Sequence, residues 1–364
     1  MTSRERLLAA LRGERPDRLP WAPEFNERFC DRILQEVPGP AFAPEDMYLE
    51  ACRRMRAECF ARVDAIVVTY PNVETVETRE GTEVTRTYQT RGGELTLRAR
   101  TIAEIGGGEM EYEHLVRTVE QVRAYTGMYR EAVYAPRYEF VQARHAAMGE
   151  AGVYSIFGPP TPLLDVIMFQ IRLPNVYFLM EDHPQEMEEL FAVMHRRNCE
   201  YYELAASAPG EVVRSFEDTS TTLVSPGLYR RYCLRQLQDY RDICHAHGKL
   251  FVPHMCGLLK GLLPELAETA VDGIEALTPP PLGDCPIGLA REKLGPNVTL
   301  IGGFDPTQFV GATPDKTRAM FKDYLSQIGD GRRFVLGHEE VHIKADFESV
   351  RVIPDLIEEH ARFQ

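Results

Sequence analysis

Short apolar runs alternate with longer amphipathic stretches along most of the chain, and this alternation predicts strands and helices in turn. Eight runs are typical of strands buried on both faces, at 19–22, 64–69, 152–157, 212–216, 250–253, 273–277, 298–301 and 334–336. From the third run onward a helical pattern follows each run, which favours a parallel sheet closed into a (β/α)8 TIM barrel of the α/β class. A doubly wound open sheet is the alternative, although no Gly-x-Gly-x-x-Gly motif follows the first strand.

The predicted helices begin at residues that cap helix amino termini. Thr2 and Glu5 have the spacing of a capping box ahead of an apolar run. Three further starts pair a capping residue with a proline in the first turn: Asp182 with Pro184, Ser225 with Pro226, and Thr313 with Pro314. The helices after Pro184 and Pro226 carry apolar residues on one face, which predicts packing against a core.

Residues 73–118 have a different pattern, with strand-forming residues on both sides of a turn at 91–94. This pattern predicts an antiparallel β-hairpin insertion after the second strand. Three glycines at 106–108 are followed by neither a lysine nor a helix, which favours a flexible turn over a phosphate-binding loop. We predict that residues 1–364 form a single barrel domain with the insertion inside it.

The composition and net charge of the chain argue against several classes of function. The chain has 364 residues with 41 basic and 55 acidic side chains, a formal net charge of −14 at pH 7. An acidic protein is not attracted to nucleic acids or to anionic membranes, so neither is expected as the main partner. No apolar stretch reaches the length of a membrane helix and no signal peptide is recognisable, which predicts a cytoplasmic protein. Eight scattered cysteines do not indicate a disulfide framework.

Polar side chains gather where the later strands end. Because active sites of barrel enzymes lie at the carboxyl ends of the strands, these positions are candidates for chemistry. They are Glu217 and Asp218 after the fourth run, His254 and Cys256 after the fifth, Asp305 after the seventh, and His338 and Glu339 after the eighth.

His254 and Cys256 are the candidate metal ligands. Residues two apart on a strand project to the same side, and an imidazole with a thiolate suits zinc. The alternative is a packed histidine beside a buried thiol. A zinc ion needs further ligands; we expect Glu339 as the third, with His338 and Glu275 as alternatives.

Carboxylates away from the metal are candidates for proton transfer or for binding a substrate. Asp218 and Asp305 are the predicted catalytic residues, and a simple turn or helix cap is an equal alternative for Asp305. Glu217 is predicted to contact the substrate, with an ion pair to Arg214 as its alternative. Three residues that end earlier strands are predicted to wall the pocket: Tyr70, Asn72 and Phe157.

Several segments together resemble a known superfamily. Residues 2–13 and 16–20 are similar to the amino terminus of uroporphyrinogen decarboxylase-like proteins. Further matching segments follow in the same order over nearly the whole chain, at 225–229, 247–249, 254–257, 302–306 and 348–351. The resemblance implies a barrel enzyme with its site at the strand ends.

Two branches of that superfamily differ in chemistry. The decarboxylases proper carry an arginine-rich segment after the first strand, whereas residues 21–28 here are acidic and lack that motif. The branch of corrinoid-dependent, methylcobalamin-type methyltransferases binds zinc through His-x-Cys and a later cysteine, and His254 and Cys256 match the first part. The later cysteine is missing, because residues 337–340 read Gly-His-Glu-Glu.

The resemblance therefore implies a zinc-dependent methyltransferase that moves a methyl group between a small methylated donor or acceptor and a corrinoid, as free cobalamin or on a corrinoid protein. One alternative is a decarboxylase or other lyase without metal, acting through Asp218 or Asp305; a pocket lined by arginines favours it, and the sequence places few there. Another alternative is a non-catalytic corrinoid- or tetrapyrrole-binding protein. The sequence leaves the oligomeric state open, with a homodimer as one option.

Overall fold

The computed structural model describes residues 1–102, 108–338, 340–341 and 344–363, with only the backbone of His338. Its strands are β1 (Cys59–Val63), β2 (Ile66–Thr69), β3 (Glu74–Glu80), β4 (Glu83–Thr90), β5 (Gly93–Ile102), β6 (Gly108–Glu113), β7 (Val133–Pro136), β8 (Gly152–Gly158), β9 (Val212–Asp218), β10 (Leu250–Phe251), β11 (His254–Cys256), β12 (Gly273–Leu277), β13 (Thr299–Phe304) and β14 (Phe334–His338).

The helices carry most of the intervening chain. They are α1 (Ser3–Arg12), α2 (Glu27–Glu36), α3 (Met47–Arg54), α4 (Val119–Arg130), α5 (Tyr138–Met148), α6 (Pro162–Asp165), α7 (Asn175–Asp182), α8 (Pro184–Ser207), α9 (Pro226–Tyr229), α10 (Arg235–Ala246), α11 (Leu263–Thr269), α12 (Ile287–Leu294), α13 (Pro314–Leu325), α14 (Phe347–Arg351) and α15 (Ile353–His360). Among the described residues, none of these helices has the length and apolar character that a membrane crossing requires.

The chain divides into two compact units. The first contains residues 1–65, 137–158 and 205–364, and the second contains residues 66–136 and 159–204. The single-domain organisation stays a prediction, because compactness does not show whether the units fold separately.

A parallel sheet forms the centre of the first unit. Its strand order is β1-β8-β9-β11-β12-β13-β14, and β10 pairs with β9 beside β11. The fifth predicted strand is thus broken into β10 and β11. Pro253 stands at the break, where a residue without an N–H group cannot donate to the ladder.

Residues 20–22 take the place of the first predicted strand. The Leu336 amide donates to the Pro20 carbonyl over 2.9 Å and the Ala22 amide donates to the Leu336 carbonyl over 2.8 Å. On the other side the Glu58 amide donates to the Trp21 carbonyl over 2.9 Å. This segment therefore lies between β14 and the residue that precedes β1.

The core of the first unit packs on α1. Leu7, Leu8 and Leu11 of α1 form one buried cluster with apolar side chains of the sheet, including Phe60, Val153, Val212, Val252, Ile301 and Val335. Several of these residues lie near the starts of their strands. The carboxyl ends of these strands therefore remain available for a functional site.

The second predicted strand needs a correction. The sheet uses residues 59–63 rather than 64–69, and Ile66–Thr69 instead pairs antiparallel with β7 in the second unit. The apolar pattern runs on through residues 59–69, so periodicity alone could not show where the chain leaves the sheet. The chain leaves at Ala65, whose carbonyl accepts from the returning Arg137 amide over 2.8 Å.

The predicted antiparallel insertion is confirmed in the second unit. Strands β3, β4, β5 and β6 form a four-stranded antiparallel sheet. The pairing of Thr90 with Gly93 leaves a two-residue turn at 91–92, inside the predicted turn. Of the three glycines, Gly108 begins β6 and the other two lie outside the described residues.

The predicted helix starts are also confirmed. Thr2 and Glu5 form a full capping box at α1. Helix α8 begins at Pro184 as predicted, but Asp182 is the last residue of α7 and not the N-cap of α8, so that part of the prediction is wrong. The side chains of Ser225 and Thr313 cap α9 and α13 by accepting backbone hydrogen bonds.

Candidate active site at the strand ends

A cavity of about 800 Å³ opens in the first unit. This volume lies within the range of small-molecule sites. His254 of β11, Glu275 of β12 and Arg214 of β9 line it together with Arg62 of β1 and Glu24. The cavity therefore collects charged side chains from several neighbouring strands.

Strand register places His254 and Cys256 beside the predicted carboxylates. In the parallel pairing of β11 with β9, His254 lies opposite Phe216 and Cys256 lies opposite Asp218. On the other side of β11, His254 lies opposite Glu275. His254 and Cys256 lie two residues apart on β11, so both side chains project to the same face of the strand, and the Cys256 side chain helps to raise the pKa of the His254 ring. The imidazole and the thiol therefore share one environment.

Glu275 fixes the orientation of the His254 ring. His254 Nδ1 lies 3.1 Å from Glu275 Oε2. Because an ionised carboxylate can only accept, the shared proton belongs to Nδ1 and Nε2 is the nitrogen left for a ligand. The arrangement is the carboxylate–histidine pair that orients imidazole ligands in metal sites.

Arg214 holds the other oxygen of that carboxylate. Its Nη1 donates to Glu275 Oε1, and its Nε donates to Ser155 Oγ over 2.7 Å. Burial alone would raise the pKa of Glu275, but Arg214 and His254 lower it to about 2. Glu275 is thus ionised with both oxygens engaged, which suits an orienting role better than the role of third metal ligand.

The His254 ring is positioned and charged by its neighbours. It stacks on Phe216, with ring centroids 5.0 Å apart and planes 13° apart. Burial alone would lower the pKa of His254, but its interactions with Cys256 and Glu275 raise it to about 10. In the metal-free protein this imidazole is therefore cationic, and a metal would have to displace a proton from it.

The donor chemistry of this cluster fits zinc. A soft sulfur, an imidazole and a carboxylate that orients the imidazole are the groups that zinc sites use. Among the described residues, no group of three histidine, cysteine or acidic side chains has the geometry to hold a metal ion. The preferred third ligand Glu339 and the side chain of His338 lie outside the described residues, so these two predictions remain predictions.

Asp218 lies close to the candidate ligands. Burial raises its pKa above the ordinary value, while the nearby His254 charge opposes the rise. Asp218 is not among the residues that line the cavity, so its catalytic role stays a prediction.

Asp305 has a different environment from the predicted one. It is fully buried. Its Oδ1 accepts from the Thr307 amide over 2.7 Å, and its Oδ2 accepts from the Leu282 amide over 2.8 Å. Since both carboxylate oxygens accept hydrogen bonds from backbone amides, the structure supports a helix-capping role for Asp305 over a catalytic one.

Glu217 is also completely buried, and it is not among the cavity-lining residues. It lies between Phe216 and Asp218 on β9, so its side chain alternates to the opposite face. The structure therefore gives no support to its predicted contact with a substrate. Arg214, the alternative partner, pairs with Glu275 instead.

The residues predicted to wall the pocket fall into both units. Phe157 ends β8 in the first unit, and its ring lies under the guanidinium groups of Arg62 at 5.7 Å and Arg214 at 5.4 Å. Tyr70 and Asn72 belong to the second unit, where Asn72 donates to Glu131 over 2.8 Å. Their role with a substrate stays a prediction.

Sequence reasoning missed most of the arginines of the cavity. Arg62, Arg137, Arg144 and Arg214 all line it, although the sequence appeared to place few there. Arg62 follows three residues of β1 and precedes the predicted second strand at 64–69, and Arg137 lies between β7 and α5, so neither follows a strand that the sequence predicted. The sequence signal that could have revealed Arg62 was its charge inside the apolar run at 59–69.

Glu24 was missed as an individual residue. It lies two positions beyond the segment that pairs with Leu336, and hence at the end of the first strand of the unit. Its position at a strand end of a parallel α/β fold was the sequence signal that could have identified Glu24 as a site residue.

Comparison with known proteins gives a family. The family model described as uroporphyrinogen decarboxylase (URO-D) matches residues 107–360. A uroporphyrinogen decarboxylase from Neisseria meningitidis is 38% identical over 80 residues. That match spans 21% of this chain and only 22% of the relative, about a fifth of its length.

A solved structure has the same fold over the whole chain. It is a methyltransferase from Methanosarcina mazei, with a TM-score of 0.63, 15% identity and coverage of 99% of both chains. At that identity the likeness concerns the fold alone. Because the family model matches more than half of the chain, the protein belongs to the uroporphyrinogen decarboxylase family.

Proposed function

We propose that this protein is a zinc-dependent methyltransferase that moves a methyl group between a small methylated compound and a corrinoid, free or protein-bound. The observation that carries the proposal is that His254 and Cys256 lie two residues apart on β11 while the Glu275 carboxylate holds His254 Nδ1. The fold shared with a methyltransferase supports the proposal. We also propose that the sheet closes as a (β/α)8 barrel, supported by the hydrogen bonds of residues 20–22 to Leu336.

The chain's own residues have distinct roles in this proposal. His254 Nε2 and the Cys256 thiolate hold zinc, with Glu339 or His338 as the third ligand. When bound, zinc supplies Lewis acidity toward a heteroatom of the methyl donor or acceptor. Glu275 orients His254, Arg214 keeps Glu275 ionised, and Asp218 transfers a proton or positions the substrate.

Metal content tests the site. We expect zinc to co-purify with the wild type and to be mostly lost from Cys256→Ala, because the thiolate is a ligand. Cys199→Ala is the matched control, since Cys199 is also a half-buried cysteine outside any disulfide and belongs to the second unit. Equal zinc in wild type and Cys256→Ala, measured by elemental analysis, would contradict the proposed centre.

Methyl transfer tests the activity. With zinc-loaded protein and reduced cobalamin, candidate methylated compounds should produce the absorption change of methylcobalamin. A spectral change on binding methylcobalamin without turnover of any donor or acceptor would instead support the non-catalytic corrinoid-binding alternative.

A separate observation favours a second candidate function. Arg62 and Arg137 line the cavity, and neither has an ion-pair partner among the described residues. Arginines without carboxylate partners suit an acidic substrate, which favours a decarboxylase or another lyase. Release of carbon dioxide from uroporphyrinogen by chelator-treated protein, lost in Arg62→Gln, would favour this function over methyl transfer.

A further inference from the structure

We infer that Glu24 is the catalytic acid of this cavity and delivers a proton to the heteroatom that leaves when a methyl group is removed. The inference rests on the proposed methyl transfer, and it adds a residue with a separate task.

The backbone places Glu24 firmly beside the site. Its carbonyl accepts from the Val341 amide over 2.8 Å, and the following residue Phe25 is buried and forms a parallel bridge with Val341. Glu24 thus extends from a fixed segment into the cavity lined by His254.

The Glu24 carboxyl group is free to act. Its side chain makes no hydrogen bond or ion pair with the described residues, although it remains accessible from the cavity. By contrast, the nearby Glu275 has both oxygens engaged by His254 and Arg214. A carboxyl group that lines a cavity and holds no other residue in place is available to a ligand.

The surroundings of Glu24 favour its protonated form more than water does. Burial and the negative charge of Glu275 on β12 raise the pKa of Glu24 above its ordinary value. Arg214 on β9, His254 on β11 and Arg62 on β1 oppose the rise without reversing it.

The step balances with a methyl ether as donor and a reduced corrinoid as acceptor. The bond between the methyl carbon and the oxygen breaks, and its electron pair stays on the oxygen. The methyl carbon forms its new bond with the cobalt, which supplies the electron pair. The Glu24 proton passes to the oxygen, leaving an alcohol or phenol and a Glu24 carboxylate that solvent reprotonates.

Leaving-group dependence tests the role. Ring-substituted anisoles whose phenols differ in acidity are the donors, reduced cobalamin is the acceptor, and methylcobalamin absorbance gives the rate with zinc-loaded protein. General acids contribute about 10²- to 10⁴-fold, so Glu24→Gln should lose about that factor with weakly acidic phenols and far less with nitro-substituted ones. Equal losses across the series, or no loss, would overturn the inference.

The matched control is Glu36→Gln, which removes a carboxyl group from the last residue of α2, outside the residues that line the cavity. It should keep the wild-type rates across the series. Both variants should keep wild-type zinc content, because neither residue is a proposed ligand.

An infrared titration needs no turnover and so separates this inference from the proposed function. The carbonyl band of a protonated carboxyl that is present in wild type and absent in Glu24→Gln should have a midpoint above the ordinary value of about 4.3. The same band should persist in Glu36→Gln. A midpoint at the ordinary value overturns the acid role whatever the anisoles do. A raised midpoint without methyl transfer from any anisole refutes methyl-ether transfer and leaves Glu24 as the proton donor of the cavity.

Discussion

His254 donates a hydrogen bond from Nδ1 to Glu275 across 3.1 Å, from directly opposite positions on neighbouring strands. The other Glu275 oxygen is held by Arg214 from the next strand beyond His254. A chain of charges therefore runs across three adjacent strands and ends at a candidate metal ligand. Zinc affinity should consequently depend on residues that do not touch the metal.

Replacing Glu275 by glutamine should weaken zinc binding without removing a ligand. The neutral amide no longer fixes and polarises the His254 ring, and the loss of such an outer partner costs about 10- to 100-fold in metal affinity. Competition with a chelator measures the dissociation constant. Glu268→Gln, an exposed carboxylate on α11, should bind zinc like wild type; equal affinity in Glu275→Gln would refute the orienting role.

Removing the Arg214 charge should destabilise the protein. Arg214→Met leaves the buried Glu275 carboxylate with one partner, and breaking a buried pair costs about 3–5 kcal/mol. The urea midpoint should therefore fall. The double variant Arg214→Met/Glu275→Gln should recover part of the loss, because it no longer buries an uncompensated charge. A double variant that is less stable by the full sum of the two single losses would contradict this account.

The stability of the metal-free protein should fall as pH rises through the alkaline range. The pKa of His254 is raised from 6.5 to about 10 in the folded state, so its stabilising charge is complete below pH 6.5 and is lost as pH rises toward 10. Thermal melting of chelator-treated protein across this interval measures the slope. His254→Gln should flatten it, whereas His114→Gln should leave it unchanged; an equal slope in all three proteins would exclude His254 as its source.

Asp305→Ala separates the structural role of Asp305 from the predicted catalytic one. Losing a capping side chain costs about 0.5–2 kcal/mol, and the Leu282 amide also loses its acceptor. We expect reduced thermal stability with unchanged zinc content and unchanged turnover of the folded fraction. A stable variant that has lost turnover would restore the catalytic assignment.

Local patterns in the sequence were sufficient for much of the fold. The capping box of Thr2 with Glu5 and the cap–proline pairs at Ser225 and Thr313 begin helices where predicted. Apolar runs of strand length gave β8, β9, β12, β13 and β14 to within a few residues. These signals are local, since a cap or an alternating pattern involves only neighbouring residues.

The same local character explains the errors. Residues 59–69 form one apolar pattern, but the chain leaves the sheet at Ala65, where backbone pairing with Arg137 decides the boundary. The roles of Asp305 and Glu217 depend on Leu282, Thr307 and the face of β9, which a strand-end position does not reveal.

The sequence by itself determined the helix starts, the parallel α/β pattern, the antiparallel insertion and the His254/Cys256 pair, because each depends on residues close together along the chain. The tertiary structure decided that Glu275 orients His254 and that Arg214 holds Glu275. It also placed Glu24 and Arg62 in the same cavity. Strand register and burial set those relationships, and both depend on contacts between residues far apart in sequence.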